Sequence, residues 1–171
     1  MQTQALPGSR FGLTADTHDV LVDWPAVAAA LEAAWGPVDA ILHCGDITSP
    51  QALETLAARA PVFATRAVDD PPARPPLLTD GPRLLTADGV RIGMLFSLGD
   101  GPPDAATARR VFDAPVDVCV YGGTHEASVR EIDGVLFVNP GSPSLAKTRT
   151  AAVLTIEGGR ASAEIVGVAG G

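Results

Sequence analysis

Apolar and polar positions in the first third of the chain alternate between short apolar runs and amphipathic stretches. Residues 11–15 form a five-residue apolar run that reads as a strand. Asp23-Trp24-Pro25 marks a helix start, with Asp23 as N-cap and Pro25 in the first turn. Val27, Leu31 and Ala34 carry that helix to a stop at Gly36-Pro37. Residues 38–43 read as a second strand, Ser49-Pro50 opens a second helix through Leu53 and Leu56, and residues 61–64 begin a third strand. This βαβαβ order predicts a parallel sheet with right-handed crossovers.

Further on the pattern changes. Four prolines fall within residues 70–76, which predicts a stiff surface loop. Residues 83–86 and 90–96, joined through Asp88-Gly89, predict a β-hairpin with a tight turn. A short helix is expected over 103–112 and a strand over 116–121. From Ser128 onward, strand-like runs are punctuated by Asp133-Gly134 and Gly158-Gly159, so the C-terminal half is expected to be mostly antiparallel. The expected architecture is one α/β domain over 1–171, two sheets packed together with helices outside, and loose tails at 1–9 and 168–171.

Composition narrows the function classes. A net charge of −8 argues against a protein that reads a nucleic-acid backbone, which needs a basic surface to release counterions. No apolar run approaches the roughly 20 residues of a membrane span, and the N-terminus shows no cationic flank or apolar segment of a secretory signal. The cytoplasm is the expected location. Cys44 and Cys119 lie in apolar, strand-like runs and read as buried free thiols. Trp24 and Trp35 read as packing residues of the first helix. There is no Gly-x-Ser-x-Gly elbow, Walker loop or Rossmann glycine fingerprint.

The candidate chemistry sits where strands end. Asp16 and His18 follow the first strand, and in extended backbone residues i and i+2 point to one side. Gly45-Asp46 follows the second strand, and His125 follows the 116–121 strand after Gly122-Gly123-Thr124. Ligands of open α/β sheets collect beyond strand C-terminal ends. Two carboxylates and two imidazoles suit Mn, Fe, Zn or Ni better than Ca or Mg. One such divalent transition metal is the expected cofactor.

Four stretches in order, Asp16-Thr17-His18, His43-Cys44-Gly45-Asp46, Gly122-Gly123-Thr124-His125 and Asn139-Pro140-Gly141-Ser142, resemble the motif series of calcineurin-like metallophosphoesterases, most closely the compact bacterial and archaeal branch. The resemblance runs from Phe11 to the final strands. It implies a metallophosphoesterase-like β-sandwich of two mixed sheets flanked by helices. It also implies a two-metal hydrolysis of a phosphate monoester or diester, in which paired ions stabilise the attacking and leaving oxygens. Asp16, His18, Asp46 and His125 then hold the first ion, and Asp46 bridges to the second.

The same resemblance implies a degenerate second site. The family's Gly-Asn-x-Asp falls on Ala67-Val68-Asp69-Asp70, its His-Gly on Leu98-Gly99, and its Gly-His-x-His on Gly122-Gly123-Thr124-His125. Val68, Leu98 and Gly123 therefore stand where three second-metal ligands belong, and Val68 with Leu98 is expected to form an apolar wall. Asp69 and Asp100 are the nearby carboxylates that would have to compensate. His43 reads as a buried group supporting the ligands, and Arg66 as a phosphate contact or a solvated loop residue. Asn139 begins a stretch that either presents backbone N–H groups to an anion or forms a plain turn.

Two functions compete. One is slow, metal-dependent hydrolysis of a phosphate-containing small molecule. The other is a catalytically inactive scaffold or ligand-binding protein with a protein partner or a second copy of itself, as in the retromer subunit of this fold.

Overall fold

The computed structural model describes residues 1–74, 77–99 and 101–169. Twelve strands fall into two six-stranded sheets. They are β1 (Thr3–Ala5), β2 (Arg10–Thr14), β3 (Ala40–His43), β4 (Val62–Thr65), β5 (Leu78–Thr79), β6 (Arg83–Ala87), β7 (Val90–Met94), β8 (Val118–Val120), β9 (Ser128–Ile132), β10 (Val135–Asn139), β11 (Thr150–Glu157) and β12 (Arg160–Gly167). The helices are α1 (Trp24–Trp35), α2 (Pro50–Ala57) and α3 (Ala105–Phe112). One sheet has the order β1-β6-β7-β8-β10-β9 and the other β12-β11-β2-β3-β4-β5. Both sheets are mixed. Neither α1, α2 nor α3 is long and apolar enough to cross a membrane.

The sequence's own signals build these elements. Asp23 caps α1 by accepting from the Ala26 N–H at 3.4 Å, and Pro25 sits in the first turn. Asp104 caps α3 through the Thr107 N–H at 2.8 Å. Strands β2, β3 and β4 pair in parallel because α1 and α2 connect them. The turns at Asp88-Gly89, Asp133-Gly134 and Gly158-Gly159 close antiparallel pairs β6–β7, β9–β10 and β11–β12.

The main core lies between the sheets, where Phe11, Leu13 and Leu42 meet Leu85, Ile92, Met94 and Val120. A second cluster seats Leu31, Trp35, Leu53 and Leu56 of the first two helices on the outer face of the β2–β4 sheet. A third seats Ala108 and Phe112 of α3 against Cys119 and Phe137 of the other sheet. Both cysteines are free and buried. Burial raises both thiols, Cys119 to about 12, so neither is a ready nucleophile.

Two expectations need correction. Residues 1–9 are not a loose tail: β1 pairs in parallel with β6, and Leu6 is buried in the main core. Nor does the C-terminal tail fray at 168, since Val168 is buried and donates its N–H to the Arg149 carbonyl at 2.9 Å. Pro75, Pro76, Gly170 and Gly171 lie outside the described residues. The C-terminal half is mostly antiparallel, as expected, and β8 departs from that pattern by pairing in parallel with both β7 and β10. Helix α3 carries the chain from β7 back to start β8 in the same direction, which a hairpin cannot do.

Two glycines mark where helices press on sheets. A Cβ at Gly12 would lie 2.7 Å from Trp35 Cδ2, and one at Gly93 would overlap the Phe112 ring. Gly12→Ala should therefore lower stability by about 1–3 kcal/mol, the usual cost of overpacking, and shift the urea midpoint downward without changing the slope.

Candidate metal centre

Asp16, His18, Asp46 and His125 each offer a donor atom, and these four atoms lie within 4.8 Å of one another. The two imidazole Nε2 atoms are 3.2 Å apart. His18 Nε2 lies 3.7 Å from Asp46 Oδ2, and His125 Nε2 lies 3.9 Å from Asp16 Oδ1. Ligands at metal–donor distances of roughly 2.0–2.2 Å sit about 3–3.4 Å apart when adjacent and about 4.2 Å apart when opposite. The cluster fits one small divalent ion with slight contraction.

Backbone conformation, more than alternation, makes these side chains converge. Asp16 (φ 52°), His18 (φ 44°), Asp46 (φ 56°) and His125 (φ 59°) all adopt the left-handed region. Asp16 and His18 therefore do not meet by the i, i+2 rule of an extended strand. The chain turns sharply at each, and strain of this kind gathers at functional sites. The two turns are held side by side: the Asp16 N–H donates to the Gly45 carbonyl at 2.9 Å, and the His18 N–H to the Asp46 carbonyl at 3.0 Å.

Buried polar groups brace the site from behind. Ser142 Oγ donates to the Asp16 carbonyl at 2.8 Å, and Ser144 Oγ to the Thr17 carbonyl at 2.7 Å. Asp19 accepts from Thr48 Oγ1 at 2.8 Å, from the Ser49 N–H at 3.1 Å and from Ser49 Oγ. Asp70 accepts from the N–H groups of Ile47, Thr48 and Ala67. Sequence reasoning missed Asp19, Thr17 and Ser144, because nothing local distinguishes a bracing Asp or Ser from one in an ordinary turn.

His43 is wholly buried and does not join the cluster. Its Nδ1 accepts the Gly45 N–H at 3.2 Å, which places the proton on Nε2, 3.1 Å from Thr17 Oγ1. Thr17 Oγ1 in turn donates to the Asp46 carbonyl at 3.3 Å. Burial and the nearby His18 hold His43 down at about 3, so it stays neutral and orients both ligand turns.

The other sequence candidates fall elsewhere. Arg66 is spent on its own loop, donating to the carbonyls of Pro71 and Asp70 and pairing with Asp80. Asn139 Oδ1 accepts the Gly141 N–H and its Nδ2 donates to Thr124 Oγ1 at 3.0 Å. The N–H groups of Ser144 and Leu145 go to Ser142 Oγ. The stretch is a braced turn, with these donors already taken. Val68 is 90% exposed and Leu98 packs against the α3 cluster, so the two form no common wall. Asp69 is exposed and lies outside the donor cluster; Asp100 lies outside the described residues.

The side chain that does press on the site is Phe96. A Cβ at Gly45 would lie 2.7 Å from Phe96 Cδ2, and one at Gly123 would lie 3.3 Å from its Cζ. Gly45 precedes Asp46, and the Gly123 N–H donates to both Asp16 carboxylate oxygens at 3.0 and 3.1 Å. The ring thus spans the two glycines that flank the ligand carboxylates.

Electrostatics favour a cation here. Burial pushes the Asp16 carboxyl up to about 7, against the Gly123 N–H and reinforced by the charge of Asp46. Asp46 is also raised, chiefly by burial. Burial and His18 lower His125, leaving its lone pair free at neutral pH. Two crowded carboxylates and two imidazoles are the donor set of a borderline transition metal.

Residues 10–159 match the model of the calcineurin-like phosphoesterase superfamily domain. The chain is 30% identical over 161 residues to a probable metallophosphoesterase of Methanothermobacter thermautotrophicus, covering 91% of this chain and 90% of that one. A solved archaeal phosphodiesterase, 24% identical, superposes with a TM-score of 0.68 over 91% of this chain and 99% of its own. Vacuolar protein sorting 29 of Cryptosporidium parvum, 18% identical, gives 0.72 over 92% and 96%. Two mixed sheets flanked by helices, with Asp and His donors gathered beyond strand ends, make the metal-dependent phosphoesterase class. This chain belongs to the calcineurin-like phosphoesterase superfamily.

The raised Asp16 sets a pH signature. A carboxyl with folded pKa near 7 and unfolded pKa near 3.8 binds its proton more tightly when folded, so its contribution to stability is lost as pH rises between those values. The depressed His43 works in the opposite direction and is common to wild type and variant. In EDTA, Asp16→Asn should gain on wild type by up to roughly 4 kcal/mol between about pH 4 and pH 7. Urea unfolding at the two pH values checks this, and added Mn(II) should reverse the order.

Proposed function

We propose that this chain hydrolyses a phosphate ester with a single divalent transition metal held by Asp16, His18, Asp46 and His125. The observation that carries the reading is the convergence of four donors from three left-handed turns, the Asp16–His18 turn braced by buried hydrogen bonds. A bound ion supplies Lewis acidity toward a phosphoryl oxygen and lowers the pKa of a coordinated water. The protein's part is to keep His125 neutral, to hold Asp16 and Asp46 at the ion through the Gly123 N–H and the Thr17–His43 contacts, and to fix the turn through Ser142 and Ser144.

The second-metal position of the family is degenerate here. Gly123 brings no side chain, Val68 faces solvent, and Phe96 rather than Leu98 is the apolar group against the carboxylates. A single ion leaves less charge stabilisation at the transition state, so the proposed enzyme is slow. The alternative, an inactive scaffold or ligand-binding protein, draws support from Val20 and Leu21, exposed aliphatic residues directly after His18.

Metal analysis should find about one equivalent of transition metal per chain. Hydrolysis of bis(p-nitrophenyl) phosphate or p-nitrophenyl phosphate with Mn(II) should fall at least about tenfold in His125→Ala. Unchanged turnover in that variant rejects the hydrolase reading. Phe96→His should raise metal content toward two equivalents. The triple change Val68→Asn, Leu98→His and Gly123→His should not, because Val68 points outward, Leu98 packs on α3 and Gly123 has φ 82°.

A further inference from the structure

Beside the donor cluster lies a cavity of about 550 Å³, and His125 belongs to both. Its walls include Thr124, Leu145, Lys147 and Thr148. Small-molecule sites run from roughly 300 to 1,000 Å³, so the cavity has room for a sizeable organic group.

The walls are rigid for a surface cavity. The segment carrying Leu145 and Lys147 is anchored through Ser142 and Ser144 to the backbone of Asp16 and Thr17, and Thr150 Oγ1 donates to the Pro140 carbonyl at 2.9 Å. Asn139 Nδ2 ties this side to Thr124 on the facing wall. The same bonds that fix the ligand turn therefore fix the cavity's position relative to it.

Lys147 is the only lysine in the chain; every other permanently cationic side chain is an arginine. It is exposed and enters no ion pair among the described residues. Apart from His125, it is the one basic group lining the cavity, whereas Arg66 is spent on its own loop. Glu126 also borders the cavity, so an anion seats at the Lys147 end, away from that carboxylate.

We infer that this cavity receives the organic portion of the substrate and that Lys147 recognises an anionic group on it, a carboxylate or a phosphate. The substrate class is then a phosphoester that carries a second negative charge beyond the reacting phosphorus. The inference rests on the proposed metal-dependent function, because His125 links cavity and ion. Lys147 sets specificity here and takes no part in metal binding.

The test is calorimetric binding of 4-carboxybenzylphosphonate and its methyl ester to Mn(II)-loaded protein. Wild type should prefer the free acid by roughly 1.5- to fivefold, the range for a solvent-exposed charge pair. Lys147→Ala and Lys147→Gln should abolish the preference and Lys147→Arg should keep it, all with unchanged metal content. His125→Ala should weaken both ligands alike. Equal affinities in wild type, a preference that survives Lys147→Ala, or no binding of either phosphonate would overturn the inference. Metal content measured on the same samples shows whether the metal reading fails with it.

Discussion

Two carboxylates forced into one small space govern this molecule. Asp16 is wholly buried and shares its surroundings with Asp46, and both are pushed toward the protonated state. Beside them His125 offers a lone pair in place of positive charge, its pKa lowered by burial and by His18. Like charges at such range are tolerated when a cation lies between them, and the price of keeping them there without one falls on folding. The surrounding architecture serves to hold this unfavourable arrangement in place.

That holding is done by hydrogen bonds that cross between loops. Each ligand residue sits in the left-handed region, at a cost on the order of 1–3 kcal/mol apiece for residues other than glycine. Asp19 and Asp70 offset part of this by tying the turns after β2 and β4 to the turn after β3. Ser142 and Ser144, which follow β10 in the other sheet, grip the carbonyls of Asp16 and Thr17. The two sheets also meet here directly, with Gly122 at the end of β8 so near Ala15 that a Cβ would lie 2.6 Å away. The site is where the sandwich closes, which makes it stiff.

Phe96 gives the site its particular character. Its ring rests across Gly45 and Gly123, the residues beside the carboxylate-bearing turns. Beyond His125, the walls of the adjoining cavity carry Lys147. On the proposed function, substrate charge is met by one metal and one lysine in place of two metals.

Much of this was legible in the sequence. Asp23, Ser49-Pro50 and the paired turns with glycine located helices and hairpins because caps and tight turns are local chemistry. The four candidate donors were legible too, since each lies shortly after an apolar strand and carries a side chain able to bind a metal. The three-residue strand β1 was not, as Thr3–Ala5 has no apolar alternation and is a strand only through its pairing with β6. Nor was the position of Phe96: the family resemblance pointed to Leu98, two residues on, and a shift of two in an irregular segment sends a side chain to a different cluster. Sequence by itself determined which residues have the chemistry to bind a metal and which elements precede them. Only the tertiary structure decided that they converge through left-handed turns, and which neighbour fills the adjoining space, because both depend on contacts between segments far apart in the chain.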